Sequence, residues 1–256
     1  MELNPLLDIA KTAAKKAAVA ILEIYESGDF SIEAKADDSP LTLADKASHN
    51  AIVAELEQSN LPILSEEGAS IPFEERKDWD YFWMIDPLDG TKEFIKRNGE
   101  FTVNIALIHE GKSILGVVQV PVKEQLYFAV QGEGAYKEAN GKTESIRVNT
   151  IDLKQEGLKV VASRSHLNDD TQKFMDSLNA PEIVSMGSSL KLLAVAEGTA
   201  DLYPRFAPTM EWDTAAAQAV VEAAGGKVTI KDQTEAVNYN KEDLLNPHFL
   251  VSSKVV

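Results

Sequence analysis

Apolar residues recur at helical spacing near the start of the chain, over residues 6 to 26. Leucine, alanine and isoleucine return every three or four positions, and lysines and glutamates stand between them. This spacing predicts an amphipathic helix. Gly28 follows it, and glycine readily adopts the left-handed conformation that ends a helix. A second helix is predicted from Thr42 to Gln58, with Asn60 and Pro62 beyond its end.

The middle of the chain changes to strand-like runs rich in β-branched and aromatic residues. These runs cover residues 81–85, 101–109, 113–120 and 125–130, and short glycine-containing turns join several of them. They predict hairpins in an antiparallel sheet. After about residue 145 strands and helices alternate, as in an α/β unit. The alternating elements are predicted at 158–162, 169–178, 182–185, 189–197, 200–203, 213–224 and 227–230.

The two patterns predict two lobes, an N-terminal α+β lobe of residues 1–145 and a C-terminal α/β lobe of residues 146–256. No repeat, low-complexity tract or linker separates them, and 256 residues can bury a large core. Candidate acidic site residues occur in both lobes. Because ligand sites often form where two units meet, we expect a site between the lobes.

Composition narrows the class of protein. Hydrophobic residues make up 44% and charged residues 26% of the chain, which is an ordinary globular mixture. The net charge of −16 argues against binding of long nucleic acid. Cysteine is absent, so a metal must use oxygen or imidazole ligands. The apolar runs are too short to span a bilayer, and no secretory signal is visible. We therefore expect a cytoplasmic protein, with peripheral attachment to the inner membrane as an alternative.

One short segment carries most of the candidate chemistry. Asp86 and Asp89 follow an apolar strand and are separated by a turn that Pro87 stiffens and Gly90 loosens. Both carboxylates can therefore point toward one place, and hard oxygen ligands suit Mg²⁺. Gly90 and the start of the following helix, with the hydroxyl of Thr91, can receive a phosphate. The competing interpretation is an acidic turn that only caps a helix.

Other acidic residues stand beside predicted element ends and favour the metal site. They are Asp45, the pair Glu66 and Glu67, and Asp213. Asp45 has capping-box spacing from Thr42, so a local cap is the simpler interpretation of that residue taken alone.

The blocks at residues 65–67, 86–91 and 212–216 resemble those of the inositol monophosphatase superfamily, which are Mg²⁺-dependent, lithium-sensitive phosphomonoesterases. Within that superfamily, the segments 89–94, 97–104 and 187–191 resemble bacterial 3′(2′),5′-bisphosphate nucleotidases of the CysQ type. The resemblance runs nearly end to end. It implies a layered αβαβα fold of the sugar-phosphatase kind, in which an antiparallel sheet lobe precedes a lobe with a mixed sheet.

The resemblance also implies a ligand set for two Mg²⁺ ions. Glu66, Asp86 and the carbonyl of Leu88 would hold one ion, and Asp86, Asp89 and Asp213 the second, while a weaker third ion would lie between Asp45 and Glu66. Adjacent residues diverge in an extended segment, so only one of Glu66 and Glu67 should face the metals, and the family pattern selects Glu66.

By the same resemblance, Asp45, Glu66 and Thr91 are the catalytic residues. Thr91, bonded to Asp45, would orient or deprotonate the attacking water, and the amides of Gly90 and Thr91 would hold the phosphate. The substrate-binding set comprises Glu66, Leu88, Asp89, Gly90, Thr91, Ser163, His166, Gly187, Lys191, Arg205 and Asp213. Lys191 and Arg205 are chemically suited to a second, uncleaved phosphate, although each could instead be a solvated surface cation.

The implied reaction converts adenosine 3′,5′-bisphosphate to AMP and phosphate, in the setting of sulfate assimilation. Two alternatives stay open: an inositol monophosphatase, and an inactive fold that senses metal or nucleotide. The partner is a small phosphorylated nucleotide, and the chain is expected to act as a monomer or a homodimer. Inhibition by Li⁺ is expected on family grounds.

Overall fold

The computed structural model describes residues 1–28, 33–34, 40–162 and 168–256. The helices are α1 (Asn4–Ser27), α2 (Leu43–Leu56), α3 (Phe73–Arg76), α4 (Thr91–Ile95), α5 (Asp169–Asp176), α6 (Leu190–Ala196) and α7 (Ala215–Ala223). Short 3-10 helices cover Glu57–Ser59, Pro121–Lys123 and Glu211–Asp213. The strands are β1 (Glu33–Ala34), β2 (Pro40–Leu41), β3 (Ile63–Ser65), β4 (Tyr81–Asp89), β5 (Thr102–His109), β6 (Lys112–Val120), β7 (Gln125–Val130), β8 (Gly134–Ala139), β9 (Lys142–Ile146), β10 (Thr150–Ile151), β11 (Lys159–Val161), β12 (Glu182–Val184), β13 (Leu202–Arg205), β14 (Lys227–Ile230), β15 (Phe249–Ser252) and β16 (Lys254–Val255).

The first two helices lie where the apolar spacing predicts them. Helix α1 ends at Gly28, which has φ of 75° and donates its N–H to the carbonyl of Ile24. Helix α2 begins after Thr42, whose hydroxyl accepts a hydrogen bond from the N–H of Ala44. Its predicted end at Gln58 falls within the 3-10 turn that follows the α-helix.

The first sheet has seven strands in the order β3-β4-β5-β6-β7-β8-β9. Neighbouring strands are antiparallel, except that β3 runs parallel to β4. The sequence pattern therefore predicts the antiparallel core but not the parallel edge strand. It also misses β8 and β9, and four of the five residues of β9 are exposed and carry no apolar alternation.

The second sheet has five strands in the order β12-β11-β13-β15-β14. Strands β12, β11 and β13 are parallel, whereas β15 is antiparallel to both β13 and β14. This is the mixed sheet that the resemblance implies. Strand β15 was not among the predicted elements, although it supplies the buried residues Phe249 and Val251.

Five layers follow from how these elements pack. Helices α1 and α2 cover one face of the first sheet through a cluster that includes Ile21, Ile52 and Trp83. Helices α6 and α7 lie between the two sheets, in a cluster that joins the other face of the first sheet to the second. Helix α5 covers the outer face of the second sheet, where Met175 packs with Val160. The order is α, β, α, β, α, as the resemblance implies.

Helix α7 lies unusually close to the first sheet. A Cβ atom on Gly116 of β6 would stand 2.1 Å from the carbonyl oxygen of Ala216, so only glycine fits there. The layer of α6 and α7 is therefore shared by both sheets in one continuous core. The division of the chain at residues 145 and 146 stays a prediction. Within the described residues, no helix has the length and apolar character needed to cross a membrane.

Candidate functional site: an acidic cluster beside a cavity

Three carboxylates from distant parts of the chain meet at one point. Glu66, Asp86 and Asp213 each offer an oxygen, and these oxygens lie within 4.8 Å of one another. Glu66 follows β3, and its N–H donates to the carbonyl of Ile85, so the parallel pairing of β3 with β4 brings it beside Asp86. Asp213 ends the 3-10 helix that leads into α7. The cluster therefore joins segments that lie far apart in the chain.

The direction of Asp86 follows from the alternation of β4. Phe82 and Met84 pack in the core between the sheets, whereas Trp83 and Ile85 pack under α1 and α2. Side chains two apart in a strand share a face. Asp86 therefore points to the same side as Met84, which is the side where α7 lies, and it is only 1% exposed.

The cluster is electrostatically strained without a cation. Burial raises the pKa of Asp86 well above its usual range, and the nearby carboxyl groups of Glu66, Asp89 and Asp213 raise it further. Burial and Asp89 likewise raise the pKa of Asp213 to about 7, although the N–H of Met210 acts in the opposite direction. Oxygen ligands with this concentration of negative charge fit a hard divalent cation such as Mg²⁺.

Asp89 lies at a break in the strand register and reaches the segment that leads into α6. The pairing of β4 with β5 shifts between Asp86 and Asp89. One oxygen, Asp89 Oδ2, accepts hydrogen bonds from Ser188 Oγ at 2.7 Å, from Ser189 N at 2.6 Å and from Ser189 Oγ at 2.9 Å. Asp89 is not one of the three residues whose oxygens all lie within 4.8 Å of one another. Its place in the second metal site stays a prediction.

The carboxylate of Asp45 bonds to residues at the starts of two helices, α2 and α4. Its Oδ2 accepts from Thr42 N at 2.8 Å and Thr42 Oγ1 at 2.6 Å, which completes the capping box of α2. Its Oδ1 accepts from Thr91 Oγ1 at 3.2 Å. The two interpretations of Asp45, as a helix cap and as a partner of Thr91, are therefore both present in the structure.

The turn between Asp89 and Thr91 is built around Gly90. Gly90 has φ of 95°, and a Cβ there would stand 3.0 Å from the carbonyl oxygen of Glu100, so the position requires glycine. The hydroxyl of Thr91 also lies 3.3 Å from the carbonyl oxygen of Leu88, the oxygen predicted to bind the first metal. This hydroxyl lies between Asp45 and that carbonyl, where it can hold a water.

A cavity of about 540 Å³ opens beside the acidic cluster. Its lining includes Asp89, Gly90, Gly187, Lys191, Arg205 and Asp213. This brings together six of the predicted site residues, and the cavity has the size of a small-ligand site.

Among the described residues, two cations line the cavity, Lys191 and Arg205. Lys191 Nζ donates to the carbonyl of Ser188 at 3.2 Å, and burial together with Arg205 lowers the pKa of Lys191. Arg205 donates through one terminal nitrogen to the carbonyl of Pro208 at 2.8 Å. Its Nε is buried and has no hydrogen-bond partner among the described residues. Both cations are therefore lining groups, and neither is a fully solvated surface residue.

Two predicted residues cannot be placed. Ser163 and His166 lie in the segment 163–167, outside the described residues. The sequence reasoning also missed residues that hold the lining of the cavity in place. Ser188 and Ser189 hold Asp89, and Glu100 accepts a hydrogen bond from Gly187 N at 2.8 Å. The recognised segments at 97–104 and 187–191 contain all three residues, but nothing in their spacing shows which residues they contact.

Comparison with known proteins gives consistent results over nearly the whole chain. The Inositol monophosphatase family matches residues 2–255. The 3′(2′),5′-bisphosphate nucleotidase CysQ of Salmonella typhimurium is 46% identical over 243 residues, which cover 93% of this chain and 96% of that protein. The protein with the same description from Haemophilus influenzae is 34% identical, over 97% of this chain and 91% of the relative.

Solved structures show the same relationship. The crystal structure of CysQ from Bacteroides thetaiotaomicron, described as a bacterial member of the inositol monophosphatase family, is 47% identical and superimposes with a TM-score of 0.87. It covers 98% of this chain and 97% of its own. An inositol monophosphatase from Thermotoga maritima is 27% identical with a TM-score of 0.78, covering 97% of this chain and 92% of its own.

Proposed function

Because the chain belongs to the inositol monophosphatase family, we propose that it is a Mg²⁺-dependent phosphomonoesterase that releases the 3′-phosphate of adenosine 3′,5′-bisphosphate to give AMP. One observation carries this proposal. The acidic cluster of Glu66, Asp86 and Asp213 adjoins a cavity that also contains Lys191 and Arg205. A metal-assisted phosphatase of a doubly phosphorylated substrate needs both features.

The chain offers enough oxygen ligands for two or three ions. In our proposal Glu66, Asp86 and the carbonyl of Leu88 hold one Mg²⁺, while Asp86, Asp89 and Asp213 hold a second. A weaker third ion would lie between Asp45 and Glu66. Bound Mg²⁺ supplies Lewis-acid stabilisation of charge on the phosphate and lowers the pKa of a coordinated water. The raised pKa of Asp86 supports this assignment, since crowded carboxyl groups need cations to ionise.

Thr91 and Asp45 are proposed to prepare the attacking water. The hydroxyl of Thr91 is held by Asp45 Oδ1 at 3.2 Å, so its own lone pairs can accept a hydrogen bond from a water. Asp45 can then take up the proton that the water gives up, through Thr91. The N–H groups of Gly90 and Thr91 are proposed to hold the phosphate oxygens as negative charge develops.

The second phosphate is proposed to bind Lys191 and Arg205. Both line the cavity with Gly187, and the buried Nε of Arg205 has a donor to offer. Ser163 and His166 complete the proposed nucleotide site from outside the described residues. Relatives at 46% identity are named 3′(2′),5′-bisphosphate nucleotidases, which supports a nucleotide over a simple sugar phosphate.

Three finer points belong to the same proposal. The enzyme would act in the cytoplasm, in sulfate assimilation, and as a monomer or homodimer. The absence of cysteine is compatible with the cytoplasm. Size-exclusion chromatography with light scattering distinguishes the two oligomeric states.

Inositol monophosphate is the second candidate substrate. The observation that favours it is the likeness to proteins described as inositol monophosphatases, including one from Anabaena at 27% identity and a TM-score of 0.77. An inositol monophosphate has only the phosphate that is cleaved, so it would leave Lys191 and Arg205 without a phosphate partner. The third alternative is an inactive fold that senses metal or nucleotide.

Rates of phosphate release from three substrates test the proposal: adenosine 3′,5′-bisphosphate, inositol 1-phosphate and 3′-AMP. We expect the bisphosphate to react with the highest kcat/KM, EDTA to abolish the reaction and Li⁺ to inhibit it. Asp86→Asn should remove activity, and equal rates for both proteins would mean that a contaminant is responsible. Faster turnover of inositol 1-phosphate would overturn the substrate assignment, and no turnover of any substrate would favour the sensor.

A further inference from the structure

Glu211, two residues before Asp213, is a fully buried acid with no place in the proposed chemistry. Both of its carboxylate oxygens are engaged elsewhere. Oε2 accepts from Asn240 N at 2.6 Å, while Oε1 accepts from Lys241 N at 3.1 Å and also from Lys241 Nζ. A buried carboxylate with this many donors is a fixed point in the structure.

The donors to Glu211 are themselves held by a buried arginine. Arg76, at the end of α3, is 2% exposed. Its Nη1 donates to Asn240 Oδ1 at 2.7 Å and its Nη2 to the carbonyl of Glu242 at 3.0 Å. Asn240 Nδ2 returns a hydrogen bond to the Arg76 carbonyl at 2.8 Å. We call Arg76, Asn240 and Lys241 the clamp.

The chain beyond the clamp holds the same turn at further points. The N–H of Glu211 donates to the carbonyl of Leu244 at 2.9 Å. Asn246 Nδ2 donates to the carbonyl of Met210 at 2.7 Å and to Thr214 Oγ1 at 3.0 Å. The turn that carries Asp213 is therefore fixed on both sides of that residue.

The direction of the Asp213 side chain depends on this turn. Asp213 Oδ2 accepts from Met210 N at 2.9 Å, and Asp213 N donates to the Met210 carbonyl at 3.2 Å. Without a cation, Asp89 and Glu66 repel Asp213. A carboxylate repelled by neighbouring carboxylates stays directed at them only when its backbone is held by other contacts.

We propose that Glu211 is a positioning residue: held by the clamp, it fixes the 3-10 turn and so keeps Asp213 directed at the metal site. This inference rests on the proposed function, because it assumes that Asp213 binds Mg²⁺. It adds a residue that touches neither metal nor substrate. Burial raises the pKa of Glu211, while Lys241 and the N–H groups of Asn240 and Lys241 act in the opposite direction by favouring its ionised form.

The test compares Mg²⁺ binding by wild type, Glu211→Gln and Lys241→Gln, using calorimetry on metal-free protein. Because residues that orient metal ligands are typically worth roughly 10- to 100-fold in metal affinity, we expect the dissociation constant for Mg²⁺ to rise by about that factor in Glu211→Gln. In Lys241→Gln the dissociation constant should rise by a smaller factor, and in Lys241→Arg it should return toward the wild-type value. At saturating Mg²⁺, kcat should return close to the wild-type value, which a general loss of structure would not permit.

Glu197→Gln is the matched control. Glu197 accepts hydrogen bonds from Lys137 Nζ at 2.8 Å and from the phenolic hydroxyl of Tyr127 at 2.9 Å, so the variant also loses a partly buried ion pair. Its melting temperature should fall while its Mg²⁺ affinity stays at the wild-type value.

The outcomes are distinct. A lower melting temperature with unchanged Mg²⁺ affinity in both Glu211→Gln and Lys241→Gln would show a merely structural role and overturn the inference. If Glu211→Gln does not fold, Lys241→Gln decides alone, since the Lys241 side chain is 26% exposed and tolerates replacement better. A wild-type protein that binds no Mg²⁺ and hydrolyses nothing would instead overturn the proposed function, and this inference with it.

Discussion

Thr91 and Asp45 are joined by a hydrogen bond of 3.2 Å between Thr91 Oγ1 and Asp45 Oδ1, although 46 residues separate them in the chain. The other oxygen of the same carboxylate accepts both the N–H and the hydroxyl of Thr42. One buried side chain therefore fixes the start of α2 and the hydroxyl that faces the proposed water. The two roles can be separated experimentally, because each has its own partner.

Thr91→Val should lower kcat by roughly 100- to 1,000-fold, since a positioned proton-transfer group contributes on that order. The change keeps the shape of the side chain and removes the hydroxyl that Asp45 accepts. Thr91→Ser, which keeps the hydroxyl, should stay within about tenfold of wild type. Steady-state phosphate release at saturating Mg²⁺ gives both values, and a valine variant as active as the serine variant would refute the role of Thr91.

Thr42→Ala should affect stability and leave catalysis nearly unchanged. It removes the cap hydroxyl, which is worth about 1 kcal/mol, and leaves Asp45 Oδ1 bonded to Thr91. Urea unfolding and kcat measured on the same preparation check this expectation. A large loss of kcat at a temperature where the variant is folded would mean that the cap and the catalytic position cannot be separated.

Asp213→Asn should make the metal-free protein more stable while weakening its response to Mg²⁺. The substitution removes one charge from a buried group of like charges, and relief of such active-site strain commonly gains about 0.5–2 kcal/mol. Thermal unfolding in EDTA should show a higher melting temperature than wild type. Adding Mg²⁺ should raise the wild-type melting temperature much more than that of the variant, and equal responses would exclude Asp213 as a ligand.

The advantage of Asp213→Asn in EDTA should grow with pH. The pKa of Asp213 rises from 3.8 to about 7 on folding. The neutral acid therefore contributes stability that is fully present below pH 3.8 and is lost as the pH rises through about 7. The pKa of Asp86 is also raised on folding, chiefly by burial. The gap between variant and wild type should be small near pH 4 and largest above pH 7, and a gap that narrows as the pH rises would contradict this assignment.

Mg²⁺ binding to the wild type should release protons below about pH 7, because the metal requires the ionised form of Asp213. Calorimetry in two buffers of different ionisation enthalpy measures the number released. We expect a larger release at pH 6 than at pH 8. Binding that releases no proton at either pH would mean that the cluster is already ionised without metal.

Ser189→Ala should raise the Mg²⁺ concentration needed for half-maximal rate. Its hydroxyl lies 2.9 Å from Asp89 Oδ2 and 2.9 Å from the carbonyl of Asp213, so it links two proposed ligands. Residues that hydrogen-bond to metal ligands typically contribute roughly tenfold or more to metal affinity. We therefore expect the Mg²⁺ concentration for half-maximal rate to rise by about that factor. Ser185→Ala, at an exposed serine of the same cavity wall, is the control and should leave the value unchanged.

The sequence by itself determined the elements and much of the site chemistry. The period of apolar residues predicts α1 and α2, and the alternation in β4 makes Asp86 share the face of Phe82 and Met84. The segment 86–91 identifies a carboxylate, glycine and hydroxyl grouping that suits metal and phosphate. These features are local, because each depends on the spacing of neighbouring residues.

Only the tertiary structure decided which distant groups meet. Glu66 reaches Asp86 because β3 pairs in parallel with β4, and Asp213 reaches both because α7 packs close to the first sheet at Gly116. The bonds from Ser188 and Ser189 to Asp89, and the burial of Glu211 in its clamp, join segments far apart in the chain. The spacing of apolar residues indicates which face of an element a side chain occupies. It does not indicate which distant residue packs against that face, so such contacts could not be predicted from the sequence.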